Sequence, residues 1–248
     1  MNSHPPAGGF PAEREQPAPS LNYRLYPGYG EEDFLPLQDI ARFIRQVAAK
    51  SSGRLLDFGS GKSPYRELFA GCEYLTADIE SGRATDYRVS SDGTVNAPTG
   101  AFDIVLSTQV AEHVPNPAIY FSEAYRLLKP GGSFIVTTHG IWEDHHVPGD
   151  FQRWTGDGLR RDLALAGFSS IDVVRLTAEG RAICHLLSRH WSTRLYQPGI
   201  LRKLLRGLWI PLRPWFHRCT DAITREDAMT SGLSPLYIGI AAVARRSG

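Results

Sequence analysis

The chain has 248 residues, 42% hydrophobic and 21% charged, which excludes a disordered chain, a collagen and a disulfide-stapled miniprotein and allows one sizeable core. Its 27 basic and 26 acidic residues leave a net charge of +1, which argues against a generally nucleic-acid-binding or strongly acidic protein. Cys72, Cys184 and Cys219 form no C-x-x-C pair, so neither a zinc site nor a disulfide framework is indicated, and a reducing cytoplasm fits best.

Residues 1–20 carry five prolines and hardly any large apolar side chain, and they read as a flexible tail. No secretory start and no apolar run of about 18 residues follows, so no transmembrane helix is expected. From Glu31 to Lys50, Phe34, Leu37, Ile40, Phe43, Ile44 and Val47 recur at spacings of three and four, which predicts a helix with one apolar face. Short apolar runs then alternate with helical stretches: Arg54 to Phe58, Tyr74 to Ile79, Phe102 to Ser107, Ser133 to Thr137 and Ser170 to Leu176. That alternation predicts right-handed β-α-β crossovers and a doubly wound α/β fold. The expected sheet is Rossmann-like, mostly parallel and about seven-stranded, closed by an antiparallel strand at Leu236 to Ala244. The expected organisation is a core over 21–176 and 236–246, interrupted by a helical insertion over 177–235.

The sharpest local signal is LLDFGSGKSPY, Leu55 to Tyr65, in which a strand ends at Asp57 and runs into Gly59-Ser60-Gly61 before a helix near Tyr65. Glycines there allow a tight turn and bring a ligand close to main-chain N–H groups. A P-loop would need a glycine at Leu56, and a dinucleotide fingerprint would need its third glycine at Pro64. S-adenosylmethionine fits Asp57 better, because its amino acid end carries an ammonium that a carboxylate attracts. Asp78 ends the next strand, where an acid can accept both ribose hydroxyls. For either acid alone, a turn or capping role is as good a reading.

On these residues the chain resembles class I S-adenosylmethionine-dependent methyltransferases, in particular a bacterial group with a G-x-G-x-x-P-Y-R loop, here Gly59, Gly61, Pro64, Tyr65 and Arg66. The resemblance continues through GAFDIVLSTQVAEHVPNP, YFSEAYRLL and LKPGGSFIVTTH, over roughly residues 54 to 176. It implies S-adenosyl-L-methionine as cofactor, with Asp57, Gly59, Ser60 and Gly61 around the methionine moiety, Asp78 and Ile79 at the ribose, and Asp92 at the adenine edge. Gln109 joins this set at the end of the fourth strand, and His113 beside it reads as a capping or packing residue. Pro130-Gly131-Gly132 is expected to stop a helix and reverse the chain into a strand.

The segment after the fifth strand, Thr138 to Thr155, reproduces an H-x-x-P-x-D-x-x-R-x-T pattern of that group with His145, Pro148, Asp150, Arg153 and Thr155. Methyl transfer to a hydroxyl needs a base, and His145, with His146 as substitute, is the expected one. Asp150 and Arg153 are expected to pair and fix this segment as a lid. Metal binding by Asp144, His145 and His146 fits the ligand types, but the expected mechanism uses no metal.

Between Gly180 and Thr220 lie eight basic residues and no acidic one. Within GILRKLLRGLWIPLRPWFHR the leucines form one helical face and Arg202, Lys203 and Arg206 the other. The preferred reading is a cap whose apolar face closes over the sheet or substrate pocket; the alternative is a peripheral membrane contact through residues 200–216. Either suits a small-molecule or glycan acceptor that is anionic or lipid-linked, and no RNA-binding signature accompanies the charge. The alternatives to methyl transfer are an NAD(P)-dependent oxidoreductase and a non-catalytic module of the same fold.

Overall fold

A computed structural model describes residues 22–79, 84–145, 149–234 and 236–248. The expected N-terminal tail, His146 and Pro148 lie outside the described residues.

Helix α1, Phe34–Ala48, is followed by β1, Gly53–Phe58, then β2, Cys72–Asp78, and a two-residue β3, Tyr87–Arg88. Next come β4, Phe102–Thr108, α2, Pro117–Leu127, β5, Leu128–His139, α3, Gly156–Leu165, and β6, Ser170–Ala178. Helices α4, Glu179–Leu195, and α5, Ile200–Ile223, precede a second two-residue strand, β7, Met229–Thr230, and the last strand β8, Tyr237–Arg245. These strands form one eight-stranded sheet in the order β3-β2-β1-β4-β5-β8-β6-β7. β1, β2, β3, β4 and β5 pair in parallel, and β8 runs antiparallel between β5 and β6.

Period-two alternation sends neighbouring residues of the central strands to opposite layers. Leu56, Phe58 and Val105 pack with Tyr120, Phe121 and Leu127 of α2 and Leu159 and Leu163 of α3. Leu55, Ile104 and Leu106 pack on the other side against Ile40, Ala41, Phe43 and Ile44 of α1. Burial on both faces explains why these strands read as continuous apolar runs. Helix α2 starts where Asn116 accepts the Ile119 N–H and Pro117 sits in the first turn. α3 starts where Thr155 accepts the Gly158 N–H at 3.1 Å.

Two local expectations need correction. Beyond the glycine loop only a single 3-10 turn forms, Arg66–Phe69, because Phe69 is drawn into the α1 layer and the chain re-enters the sheet at Cys72. Pro130-Gly131-Gly132 does not stop α2, which has ended by Leu127. It lies inside β5, where the register against β4 shifts and Gly131 takes a φ of +78°. Helix α5 runs unbroken through Pro211 and Pro214.

The strand order reverses between β1 and β4. In open α/β sheets that crevice, beyond the carboxyl ends of the strands, is where ligands bind.

Candidate active site in the crevice between β1 and β4

Asp57 is the penultimate residue of β1 and is buried. Its Oδ2 accepts the Tyr74 hydroxyl at 2.5 Å, while Oδ1 has no partner. Burial raises its pKa to about 6, against the opposing pull of hydrogen bonds from Tyr74 and Ser63. Arg66 lies over the Tyr74 ring at 4.6 Å, and Tyr65 is buried in the α1 layer. The P-Y-R stretch therefore supports Asp57 from behind, through Tyr74, a residue that local sequence pattern does not reveal.

Gly59 has a φ of +83°, and a Cβ there would meet Val110 Cγ2 at 2.6 Å, so the loop after β1 presses against the loop after β4. Gly61 has a φ of +49° and open space where a Cβ would go. The loop's N–H groups are already engaged: those of Gly59 and Ser60 donate to Ala77 O, and that of Gly61 to Asp78 Oδ2 at 2.6 Å. The glycines thus supply conformation and close approach rather than free donors. Asp78 also accepts the Ile79 N–H at 2.7 Å, which fixes its carboxylate beside the loop, and Ile79 is exposed at the mouth.

Asp92 accepts both the backbone N–H and the hydroxyl of Thr94, a local turn whose hydrogen bonds lower its pKa. Gln109, at a φ of +56°, donates its backbone N–H to Thr137 O and its amide to Thr137 Oγ1, tying the end of β4 to β5. Asp57, Gly59, Ser60, Gly61, Asp78 and Ile79 thus lie along one crevice, Gln109 borders it beyond β4, and Asp92 sits in its own exposed turn.

A second group of side chains gathers beyond β4 and β5. Glu112 is fully buried, with Oε2 accepting the Thr138 hydroxyl at 2.8 Å and Oε1 without a partner. That bare oxygen lies 3.4 Å from His139 Nε2 and 4.0 Å from His113 Nε2. Burial raises the Glu112 pKa and lowers that of His139 to about 3, so His139 is neutral near pH 7. His145 meets the rings of His113 and His139 edge-on at 4.8 and 5.2 Å. Burial and the neighbouring His113 lower its pKa, which favours the neutral imidazole.

Asp150 and Arg153 form a bidentate pair, at 2.5 and 2.7 Å, and Asp150 also accepts the His145 backbone N–H at 2.9 Å. Arg153 donates to Glu143 O. The pair lies on chain outside any helix or strand, and it staples the segment that carries His145. The ligand atoms of Glu112, His113 and His145 lie within 4.8 Å of one another, a spacing that a divalent cation could draw together; Asp144 is not in that group. Sequence position puts Glu112 and His139 at the ligand edge of the sheet without giving either a role, and His113 reads as a capping or packing residue. Only the pairing of β4 with β5 brings all three to His145.

The His145 segment is also clasped from the helical side. Trp142 stacks between His139 and His185, and Arg189 of α4 lies over Trp142 while bonding Glu143 and Asp33.

The model of a family described as methyltransferase domain matches residues 29–172. A ubiquinone biosynthesis O-methyltransferase of Cereibacter sphaeroides is 35% identical over 124 residues, covering 43% of this chain and 50% of that one. This chain therefore spans about half the length of the curated relatives it matches. Among solved structures, a Bacillus halodurans protein described as a methyltransferase superposes with a TM-score of 0.51 at 18% identity, over 84% of this chain and 98% of that one. The 1,6-didemethyltoxoflavin-N1-methyltransferase of Burkholderia thailandensis, crystallised with its substrate and S-adenosylhomocysteine, does so with 0.50 at 15%, over 84% and 78%. The crevice, the sheet order that creates it and the matched family model agree, and the chain belongs to the methyltransferase domain family.

Proposed function

We propose that the chain catalyses S-adenosylmethionine-dependent methyl transfer to a hydroxyl of a small-molecule or glycan acceptor that is anionic or lipid-linked, in a reducing cytoplasm. The carrying observation is the buried Asp57 with one bare oxygen, beside a glycine loop that Asp78 holds in shape. A buried carboxylate oxygen without a partner is costly, and an ammonium is the complement it lacks. When bound, the cofactor supplies an already activated methyl group. The chain's own residues then bind and orient. Asp57 takes the ammonium, Gly59, Ser60 and Gly61 leave room for the amino acid moiety, and Asp78 and Ile79 face the ribose side. Asp92 and Gln109 are assigned to the adenine edge and the crevice wall.

His145 takes the acceptor's proton, with His146 as the second candidate, and the Asp150–Arg153 pair holds His145 in place. O-methyl transfer is supported by the names of the curated relatives, and an anionic acceptor by the basic stretch between Gly180 and Thr220. Titration calorimetry with S-adenosylhomocysteine tests the cofactor site. Asp78→Ala should weaken binding by about 1 to 3 kcal/mol through lost hydrogen bonds to the ribose and to Gly61, and unchanged affinity would overturn the assignment. His145→Gln should leave that affinity intact while abolishing product formation.

A further inference from the structure

Helix α5 is built inside out. Ile200, Leu201, Leu204, Leu208, Leu212 and Trp215 recur along one face, and they are 84%, 69%, 64%, 62%, 55% and 66% exposed. The face turned to the protein is polar. Arg213 bonds Glu32 and Gly30 O, His217 meets Ser188 and Tyr29 O, and Asp221 pairs with Arg42 and Arg181. A surface helix normally does the reverse, and an apolar stripe of this length on the outside marks an interaction site. The preferred expectation of a cap, apolar face down over sheet or pocket, is not what the structure shows. The polar contacts to α1, α4 and the segment before α1 already occupy the inward side.

We propose that this face docks on the surface of a bilayer rich in anionic lipid, with the helix lying in the interface. Charge selects the occupant. Residues 197–205, the tip joining α4 to α5, are all exposed and carry Arg202 and Lys203. Among the described residues, no ion pair involves Arg194, Arg202, Lys203 or Arg218. Between Gly180 and Thr220 no acidic residue offsets them, so a second copy of this strip would be repelled, whereas anionic headgroups would attract it. No helix among the described residues is long and apolar enough to cross a membrane, so the geometry is one of lying on the surface. Bulky aliphatic side chains would enter the acyl boundary while the long basic side chains reach the headgroups.

The position of the helix gives the contact a purpose. β6 runs parallel to β5, so α4 leaves the sheet at the same edge as the crevice. Arg189 and His185 of α4 then tie the helical pair to the His145 segment. This deepens the methyl-transfer reading by naming a lipid-borne acceptor, and on that point alone it rests on it.

Flotation of the intact chain with vesicles of phosphatidylcholine containing one third phosphatidylglycerol provides the test. The wild type should rise with these vesicles, and less so at high salt or with phosphatidylcholine alone. Leu204→Glu or Leu208→Glu should each cut the bound fraction at least about tenfold, with S-adenosylhomocysteine affinity unchanged as the control for folding. The proposal is overturned if the wild type stays down with anionic vesicles, or if Leu204→Glu floats equally well. It is also overturned if light scattering without lipid shows a dimer that Leu204→Glu dissolves. Failure here with intact S-adenosylhomocysteine binding leaves the methyl-transfer reading standing; loss of that binding in the wild type removes the other reading and leaves docking untouched.

Discussion

The two glycines of the loop after β1 have different physical duties, and substitution should separate them. Gly59→Ala asks a side chain to adopt a φ of +83° and to enter space held by Val110 at 2.6 Å. Gly61→Ala asks only for a φ of +49° in open space. The second should cost about 1 kcal/mol, whereas the first should cost several times that, because Val110 and the loop carrying it must move. Chemical denaturation with calorimetric titration of both variants checks the order; equal losses would refute it.

Asp57 makes the cofactor site pH-dependent with a definite sign. Its pKa is raised above the ordinary 3.8 to about 6, so the free protein takes up a proton there as pH falls through 6, and the protonated acid cannot attract an ammonium. S-adenosylhomocysteine affinity should therefore be level above about pH 7 and roughly tenfold weaker at about pH 5, with proton release on binding near pH 6. Calorimetry in buffers of different ionisation enthalpy reads both effects, and Asp57→Asn should flatten the profile at a lower affinity.

At the scale of elements, the α4–α5 pair is fastened to the sheet by buried charge rather than by an apolar seam. Arg181 in the first turns of α4 is completely buried and bonds Asp39 of α1 at 2.6 and 2.9 Å and Asp221 of α5 at 3.0 Å. Thr177 adds a hydrogen bond to Asp39. Burial raises the Asp39 pKa to about 6 even though Arg181, Thr177 and Arg42 all pull it down, which shows how much desolvation this junction carries. Arg181→Ala would leave two buried carboxylates, Asp39 and Asp221, to share Arg42 as their one cation among the described residues and should destabilise the chain by about 3 to 5 kcal/mol, lowering Tm by roughly 6 to 20 °C. Arg194→Ala on the exposed side of the same helix serves as the comparison and should change Tm little. The prolines of α5 fit the same picture. Pro211 is exposed and Pro214 half-buried, and the inward side-chain bonds of Arg213, His217 and Asp221 hold the helix across both.

Across the whole molecule, what could be read from the chain was whatever local pattern encodes. Six longer strands follow from apolar runs, and α1 from its three-four spacing, with ends shifted by a few residues. Asp57 and the glycine loop were visible because one ligand-shaped turn is written in consecutive residues. β3 and β7 escaped because two paired residues leave no periodic trace, and β5 was read short because its first residues include a proline and two glycines. The support of Asp57 by Tyr74, and the meeting of Glu112, His113 and His139 at His145, depend on register between strands far apart in sequence. The outward turn of the α5 leucines was equally hidden, since periodicity defines an apolar face without saying which way it points.

Those two short strands also determine how this protein meets its own copies. They form the outer borders of the sheet but cover only Ala77 and Asp78 of β2 and Arg175 and Leu176 of β6, so the rest of each of those strands has no strand partner on its outer side among the described residues. On the β2 side the Thr76 N–H is already taken by the Asp86 carboxylate, so main-chain pairing with a neighbouring copy would have its longer run along Ser170 to Val174 of β6.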